Sequence, residues 1–401
     1  MKRRITAPRE VLAELREDFS LCGKCKLCQA VMAQQCDDPR FWRNCPSGTR
    51  FRFEPYYASG KMEVARCLDL AEIEPDETMR HVLYTCMTCG SCEDRCYPVK
   101  QLHPLRVIEL MRETAVQDEW APMEWFSRML KNVEKTDNIY GKPAEKRVGW
   151  AKGLKVREAL AGKVEYLLMV GDEYSSFGSM SPRMEAVAGV LGAAGLSFGT
   201  LGKEEVSSGA ALLAIGDRDY FETLAERNIA LIEKSGVKKV VTADPHVYWV
   251  LSEEYVKALD IEVFHVAQLV DSGISSGALK PSREVNMKAA YHDPCKLGRR
   301  CGIFEEPRRM LEAIPGLELV KFERARKNAL CCGGGGGVYL WEPEYAARVT
   351  DERLFEAEFA GADAIVTACP LCVRLFEDGM KKRGSKMEVY DLCEIFEKSL
   401  V

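Results

Sequence analysis

The chain has 401 residues, with 56 Lys and Arg against 61 Asp and Glu, so its formal charge is −5. This length predicts two or three domains, and the mildly acidic balance lacks the basic footprint of a nucleic-acid-binding protein. Glycine (31) and proline (17) occur at ordinary frequencies, which excludes collagen-like and low-complexity classes. The unusual figure is 17 cysteines, because a chain of this length folds without disulfide staples.

The N-terminal sequence and the apolar runs bear on location. Arg3-Arg4 is a twin-arginine pair, but no apolar stretch follows it. The residues after the pair include the charged side chains Arg9, Glu10, Glu14, Arg16 and Glu17. The longest uncharged run, 186–202, contains five glycines and is shorter than the roughly 20 apolar residues of a spanning helix. We therefore expect a cytoplasmic protein with no membrane span of its own, attached to a membrane at most peripherally through a partner. In the cytosol, clustered cysteines indicate metal binding.

Two cysteine runs near the N-terminus have iron–sulfur spacing. One run is Cys22-Gly-Lys-Cys25-Lys-Leu-Cys28, and the other is Cys86-Met-Thr-Cys89-Gly-Ser-Cys92-Glu-Asp-Arg-Cys96. In two-cluster ferredoxins the fourth cysteine of each run binds the other cluster. Structural zinc and a redox-active Cys-x-x-Cys are the alternatives, but zinc uses paired Cys-x-x-Cys units and needs no triple run.

The first run has no fourth cysteine close by, which leaves Cys45 and Cys36 as rival ligands. We favour Cys45, because Pro46 follows it as proline follows ferredoxin runs. The predicted first [4Fe-4S] site is Cys22, Cys25, Cys28 and Cys96. The predicted second [4Fe-4S] site is Cys86, Cys89, Cys92 and Cys45. Helices are expected at 64–70, 79–84 and 105–113, so both sites would lie between helices.

From residue 164 onward, short apolar runs alternate with helix-length amphipathic stretches, which predicts α/β units with parallel sheets. The predicted strands are 164–170, 211–215, 237–241, 261–266, 287–291, 363–367 and 387–390. Residues 240–247 and 365–372 share the order strand, Thr-Ala, x-Pro, helix, which indicates an internal duplication. Asp244 then occupies the position of Cys369, Val247 that of Cys372, and Asp172 stands near the position of Cys295. The first copy would be a scaffold without thiolates.

A second cysteine constellation lies in the C-terminal part. Its members are Cys295, Cys331, Cys332, Cys369 and Cys372. Each group is expected where a strand ends and a helix begins, the edge at which ligands gather in open α/β sheets. Five thiolates exceed what four-coordinate zinc requires. The glycine run 333–337 allows close backbone approach and would form an N–H nest for an anionic cluster. It matches neither a phosphate loop nor a dinucleotide fingerprint.

The spacing of these five cysteines resembles the cysteine-rich CCG motif of heterodisulfide reductases, which also occurs in iron–sulfur subunits of glycolate oxidase, glycerol-3-phosphate dehydrogenase and sulfite-reduction complexes. The order of the parts resembles the D-type heterodisulfide reductase subunit. The resemblance implies that Cys295, Cys331, Cys332, Cys369 and Cys372 are catalytic and hold a further, non-cubane [4Fe-4S] cluster. It also implies that the ferredoxin cubanes supply that cluster with electrons. Members carry two complete motifs, whereas the first copy here has no cysteine.

We therefore predict an α+β multidomain protein. A helical ferredoxin-like domain with two clusters covers 1–118, and a connector covers 119–160. A cysteine-free CCG-type α/β repeat covers 161–280, and a second CCG repeat with the cluster site covers 281–401.

The leading hypothesis is an iron–sulfur oxidoreductase subunit that receives electrons from a partner flavoprotein or another donor in a complex. The alternatives are a non-catalytic electron-transfer module and a zinc-stabilised interaction protein. Among charged residues near the CCG motif, Lys296, Arg299 and Arg300 are expected on a solvated face, and attraction of an anionic substrate is the alternative. His292 is expected to pack at a strand end, with proton delivery to a leaving thiolate as the alternative.

Overall fold

The computed structural model describes residues 12–31, 36–154, 156–160 and 162–400. The Arg3-Arg4 pair lies outside these residues. The fold is α+β, mainly helical, with two parallel sheets. Proximity of Cα atoms separates the chain into two compact units. The first unit contains the residues up to Ser127 together with Ala211–Arg218 and Glu323–Arg353, and the second contains Arg128–Ala210, Asp219–Phe322 and Leu354–Val401.

The first unit is built from short helices. Those before residue 120 are Arg16–Ser20, Pro46–Phe51, Ala58–Asp69, Glu77–Tyr84, Ser91–Lys100 and Pro104–Gln117. The three predicted helices coincide with three of them, so these predictions are confirmed. Asp76 caps Glu77–Tyr84 by accepting a hydrogen bond from the Met79 N–H at 2.7 Å. Ala58–Asp69 packs against Pro104–Gln117, which has buried aliphatic side chains such as Ile108.

Two parallel sheets form the centre of the second unit. The strands of the first sheet are β1 (Arg157–Glu158), β2 (Tyr166–Leu168), β3 (Phe198–Thr200), β4 (Lys239–Thr242) and β5 (Glu262–His265). The second sheet consists of β6 (Met287–His292), β7 (Leu317–Leu319), β8 (Ala364–Thr367) and β9 (Glu388–Asp391). The first sheet has the order β1-β3-β2-β4-β5 and the second has the order β7-β6-β8-β9. Six of the seven predicted strands are confirmed.

Helices connect these strands, as parallel pairing requires. From residue 127 to 275 they are Ser127–Thr136, Ala144–Arg147, Gly171–Ser176, Ser181–Ala193, Ala210–Ile215, Arg218–Ser235, Pro245–Glu253 and Val266–Ser275. The later helices are Glu306–Glu312, Val338–Trp341, Pro343–Phe359, Pro370–Arg383 and Leu392–Glu397. The predicted strand at 211–215 is wrong, because this short apolar run is helical. Periodicity cannot distinguish a buried strand from a buried helix turn over five residues. Across the described ranges, no helix combines the length and apolarity needed to cross a membrane.

The duplication is visible in the sheets. The order β3-β2-β4-β5 in one sheet matches β7-β6-β8-β9 in the other. Asp244 caps the helix after β4, and Cys369 occupies the same cap position after β8. The two copies share one hydrophobic core, with Val241 and Val366 among its fully buried residues. The repeat predicted from residues 240–247 and 365–372 is therefore confirmed.

Candidate iron–sulfur sites

The first cysteine group lies on an irregular loop and on one helix. The loop leads into the 3₁₀ turn Leu27–Gln29, which contacts the helix Ser91–Lys100. Burial raises the pKa of the Cys96 thiol on that helix to about 12, and the nearby thiols of the loop contribute to the rise. Thiols affect each other's pKa only at short range. The structure thus brings together the four residues predicted for the first site, which are Cys22, Cys25, Cys28 and Cys96.

The second group occupies the loop between the helices Glu77–Tyr84 and Ser91–Lys100. Gly90 has a φ of 78° at the start of the second helix, a left-handed conformation that glycine adopts without strain. Burial raises the pKa of the Cys45 thiol to about 11; the Lys61 ammonium opposes this rise, and two thiols of the loop add to it. The thiols that interact here are Cys45, Cys86, Cys89 and Cys92, and Cys92 also interacts with Cys28 of the first group.

Cys36, the rival fourth ligand, lies in a different environment. Its Sγ is 3.4 Å from the Asp38 carbonyl oxygen and 3.5 Å from a carboxylate oxygen of Glu323. Burial raises the pKa of Cys36 to about 11, and the Glu323 carboxylate adds to this effect. The groups around Cys36 are thus oxygen atoms and the Arg324 guanidinium. Cys45 also contacts oxygen atoms, those of Ser47 at 3.8 Å and Tyr56 at 4.0 Å, but unlike Cys36 it interacts electrostatically with other thiols.

Cys331 and Cys332 belong to the first unit and are buried. The prediction that they directly follow a strand is wrong. β7 ends at Leu319, and the 3₁₀ turn Arg326–Asn328 intervenes. The Thr350 hydroxyl donates a hydrogen bond of 2.7 Å to the Cys332 carbonyl oxygen and so fixes the loop.

The glycines after this pair allow an unusually close backbone contact. A Cβ atom on Gly335 would lie 2.2 Å from the Met87 carbonyl oxygen, and one on Gly336 would lie 2.5 Å from the Cys86 carbonyl oxygen. Gly336 also has a φ of 62°. The backbone of Gly335 and Gly336 therefore packs directly on the loop that contains Cys86 and Met87. The anion nest predicted for 333–337 stays a prediction.

The other three cysteines of the CCG motif belong to the second unit. β6 and β8 are neighbours, with His292 paired to Thr367, and Cys295 and Cys369 follow these two strands at the same edge of the sheet. Cys372 lies one turn further along the helix Pro370–Arg383. Cys369 and Cys372 are buried, and Cys295 is half-buried.

A histidine from the first repeat reaches this edge. The His246 ring lies 3.1 Å from an Asp244 carboxylate oxygen and hydrogen-bonds the Cys369 sulfur. Burial would raise the pKa of Cys369, but hydrogen bonds from Cys372 and His246 lower it below the ordinary value of a thiol. His246 was not predicted as a site residue, because its only signal in the sequence is the alignment of Asp244 with Cys369.

Buried carboxylates lie at the strand ends of the first repeat, and two of them, Asp172 and Asp244, align with Cys295 and Cys369 of the second. The Asp172 carboxylate accepts a hydrogen bond of 2.7 Å from the Ser207 hydroxyl. The Glu205 carboxylate accepts from the Gly171 N–H at 2.7 Å, so the backbone donors at the end of β2 already have an anionic partner. Asp244 caps a helix, as expected of an ordinary cap residue.

Substitution of Asp172 by Asn is expected to stabilise the protein at pH 7.5 by up to about 3 kcal/mol. Burial raises the pKa of Asp172 to about 6, although the Ser207 hydrogen bond opposes this. Its unfolded pKa is lower, so the folded state binds the extra proton, and stability falls as the pH rises from about 4 to about 6. Thermal unfolding at pH 5 and pH 7.5 measures the effect. Asp260→Asn, at a fully exposed side chain, is the control, and an equal gain at both pH values would contradict the assignment.

The basic residues after Cys295 are not on a solvated face. Lys296 is buried, with its Nζ 3.6 Å from the centre of the Trp249 ring. Arg300 forms an ion pair of 2.7 Å with Glu253. The expectation of a solvated face is therefore wrong for these two residues. The positions of Lys296 and Arg300 in the sequence give no sign that they contact Trp249 and Glu253. His292 packs edge-on against Phe376, with ring centres 4.9 Å apart, as expected for a strand-end residue.

Comparison with known proteins defines the class. The family model of the CCG cysteine-rich domain matches residues 174–252 and 289–377, one match in each repeat. The chain is 32% identical to the probable iron-sulfur-binding oxidoreductase FadF of Bacillus subtilis, over 86% of this chain and 50% of that protein. It is 30% identical to EtfAB:quinone oxidoreductase of Syntrophomonas wolfei, over 79% of this chain and 46% of that protein. It spans about half the length of these curated relatives. These similarities support an oxidoreductase-type role for a protein with iron–sulfur clusters.

A third comparison identifies the family. The chain is 30% identical to the D-type subunit of the dihydromethanophenazine:CoB--CoM heterodisulfide reductase of Methanosarcina mazei, over 81% of this chain and 79% of that protein. It belongs to the family of D-type heterodisulfide reductase subunits, and the predicted resemblance is confirmed.

Proposed function

We propose that the chain carries electrons through two [4Fe-4S] cubanes to a third, non-cubane [4Fe-4S] site in a redox complex of the heterodisulfide reductase type. Cys22, Cys25, Cys28 and Cys96 would hold one cubane. Cys45, Cys86, Cys89 and Cys92 would hold the other. When bound, such clusters supply one-electron transfer at potentials set by their surroundings. The partners are a flavoprotein or another redox subunit.

The observation that supports this proposal is that the eight thiols interact within the first unit, Cys96 with Cys22, Cys25 and Cys28, and Cys45 and Cys92 with Cys86 and Cys89. Each set contains three cysteines from one run and one from elsewhere, as in two-cluster ferredoxins. Burial raises the pKa of Cys45 to about 11 and that of Cys96 to about 12, so the free thiolates are unfavourable there. Bound metal relieves that cost because it deprotonates its thiol ligands and compensates their charge.

The third site would use Cys295, Cys331, Cys332, Cys369 and Cys372. Its support is the spacing of the CCG motif together with membership of the family. The buried Cys369–Cys372 pair at the edge of the second sheet, with His246 hydrogen-bonded to Cys369, is consistent with a functional thiol site.

Iron content tests the proposal. The anaerobically reconstituted full chain is expected to bind about twelve iron atoms and as many acid-labile sulfides, four for each cluster. Cys331→Ser is expected to lower this to about eight while both cubane signals remain in electron paramagnetic resonance spectra. Cys301→Ser, at a cysteine outside the predicted sites, is the control and retains about twelve. A chain that binds only zinc would overturn the proposal.

A non-catalytic electron-transfer module is the second candidate, favoured by the absence of thiols from the described first repeat, where carboxylates are present instead. Titration of the loaded chain with disulfides distinguishes the candidates. A new paramagnetic signal that is lost in Cys331→Ser supports disulfide chemistry. If the electron paramagnetic resonance spectrum is unchanged by every disulfide tested, the result supports the electron-transfer module.

A further inference from the structure

The two sets of thiols in the first unit differ in their surroundings. Cys25 of the first set is exposed. Two buried cations, Lys61 and Arg112, accompany the second set, and each side chain is 1% exposed. Buried lysine and arginine are rare and require a compensating group. A negatively charged group is therefore expected to compensate these two cations.

Arg112 is held by backbone carbonyls. One of its terminal nitrogens donates to the Ala214 oxygen at 2.6 Å and to the Gly336 oxygen at 2.9 Å. The other donates to the Cys86 oxygen at 2.6 Å and to the Leu83 oxygen at 3.1 Å. Carbonyl groups are neutral, so these bonds fix the guanidinium without neutralising it. The acid–base groups that offset its burial are the Cys86 thiol, the Tyr84 hydroxyl and Glu109.

Lys61 reaches the same set from another helix. Its Nζ donates to the Tyr56 carbonyl oxygen at 2.5 Å, and the Cys45 sulfur lies 4.0 Å from the same oxygen. The partner seen for the ammonium is again a carbonyl. Lys61 thus shares a carbonyl neighbour with Cys45, and Arg112 donates to the Cys86 backbone, so one buried cation lies near each of two cysteines of the set.

Tyr345 lies in the same segment of the first unit as Cys331, Cys332 and the glycines that follow them. Its ring is 3% exposed, and its hydroxyl has no hydrogen-bond partner among the described residues. Burial raises the pKa of Tyr345, and the thiols of Cys45, Cys86 and Cys331 raise it further. The Arg112 bond to the Gly336 oxygen joins the same two segments. Cys331 therefore lies five residues before the glycine whose backbone packs against the Cys86 carbonyl.

We propose that Lys61 and Arg112 are positioning residues that raise the reduction potential of the cubane held by Cys45, Cys86, Cys89 and Cys92 above that of the first cubane. This inference rests on the proposed function. A fixed positive charge in a low-dielectric site favours the more negative, reduced state of a cluster. Reduction adds one electron and neither forms nor breaks a bond. The site nearer Cys331 would then be the favoured resting place for an electron.

The test is an anaerobic redox titration of the loaded full chain, followed by electron paramagnetic resonance. Lys61→Met and Arg112→Gln are each expected to lower the same cubane midpoint by about 59 mV, a tenfold loss in the equilibrium constant for reduction by one electron. Arg112→Lys, which retains the charge, is expected to keep most of the parent potential. Arg106→Gln removes an exposed cation from the same helix and is the control.

The outcomes separate this inference from the proposed function. Unchanged midpoints in Lys61→Met and Arg112→Gln, with both cubanes present, would overturn the inference alone. The inference would also be overturned if the midpoint that shifts is still present in Cys45→Ala, because the cubane that remains in that variant is the one at the first site. If Arg112→Gln does not fold, Lys61→Met decides the test. A parent chain without cubane signals would overturn the proposed function itself.

Discussion

Replacement of Cys45 by Ala is expected to remove about four of the roughly twelve iron atoms and one of the two cubane signals. Cys45 is half-buried and interacts electrostatically with the thiols of Cys86 and Cys89. Without it, the second site retains three thiol ligands, and a [4Fe-4S] cluster lacks its fourth cysteine. The measurement is iron and sulfide content together with low-temperature paramagnetic resonance of the reduced protein.

The matched control for this substitution is Cys36→Ala. It removes the same atom from the other candidate ligand, whose neighbours are Asp38 and Glu323. Full iron content is expected, with at most a small loss of stability from the broken sulfur contacts. The reverse result, with iron lost in Cys36→Ala and retained in Cys45→Ala, would refute the assignment of the second site.

Substitution of Gly336 by Ala is expected to destabilise the protein by about 2–5 kcal/mol. A positive φ costs a residue with a Cβ about 1–2 kcal/mol, and overpacking against neighbours that cannot move adds about 1–3 kcal/mol. The new methyl group would lie 2.5 Å from the Cys86 carbonyl oxygen and 3.1 Å from Arg112. Thermal unfolding of the loaded chain measures the effect, and iron loss should accompany it.

Gly384→Ala separates the two causes. Gly384 ends the helix Pro370–Arg383 with a φ of 61°, almost the value at Gly336, and no atom lies within 4 Å of its Cβ position. It therefore carries the backbone cost alone, about 1–2 kcal/mol. Equal losses at the two glycines would show that close packing on the second cysteine loop is unimportant.

Much of the fold follows from local sequence. β4 and β8 were predictable because each is a short β-branched run followed by a cap residue and proline. β1, β3 and β7 were not predicted, since they have two or three residues each and Gly199 interrupts one of them. The run 211–215 was assigned to the wrong structure because tertiary packing decides the conformation of such a short apolar segment.

The candidate site was predictable only where its ligands recur at a regular spacing in the sequence. Cysteines at intervals of three residues carry such a signal, and so does proline after Cys45. Lys61 and Arg112 carry none. Each looks like an ordinary charged residue on an amphipathic helix, and only the three-dimensional structure shows that it is buried. The same holds for His246, whose partner Cys369 is more than one hundred residues away in the sequence.

The first unit is discontinuous in the chain, and this has a consequence for biogenesis. All eight cysteines of its two thiol sets precede residue 97, but the glycine segment that covers the Cys86–Met87 backbone lies within Glu323–Arg353. Nascent chains fold from the N-terminus as they leave the ribosome. The early cysteines therefore leave the ribosome well before the segment that covers the Cys86–Met87 backbone, and this part of the first unit stays uncovered until the later segment is synthesised.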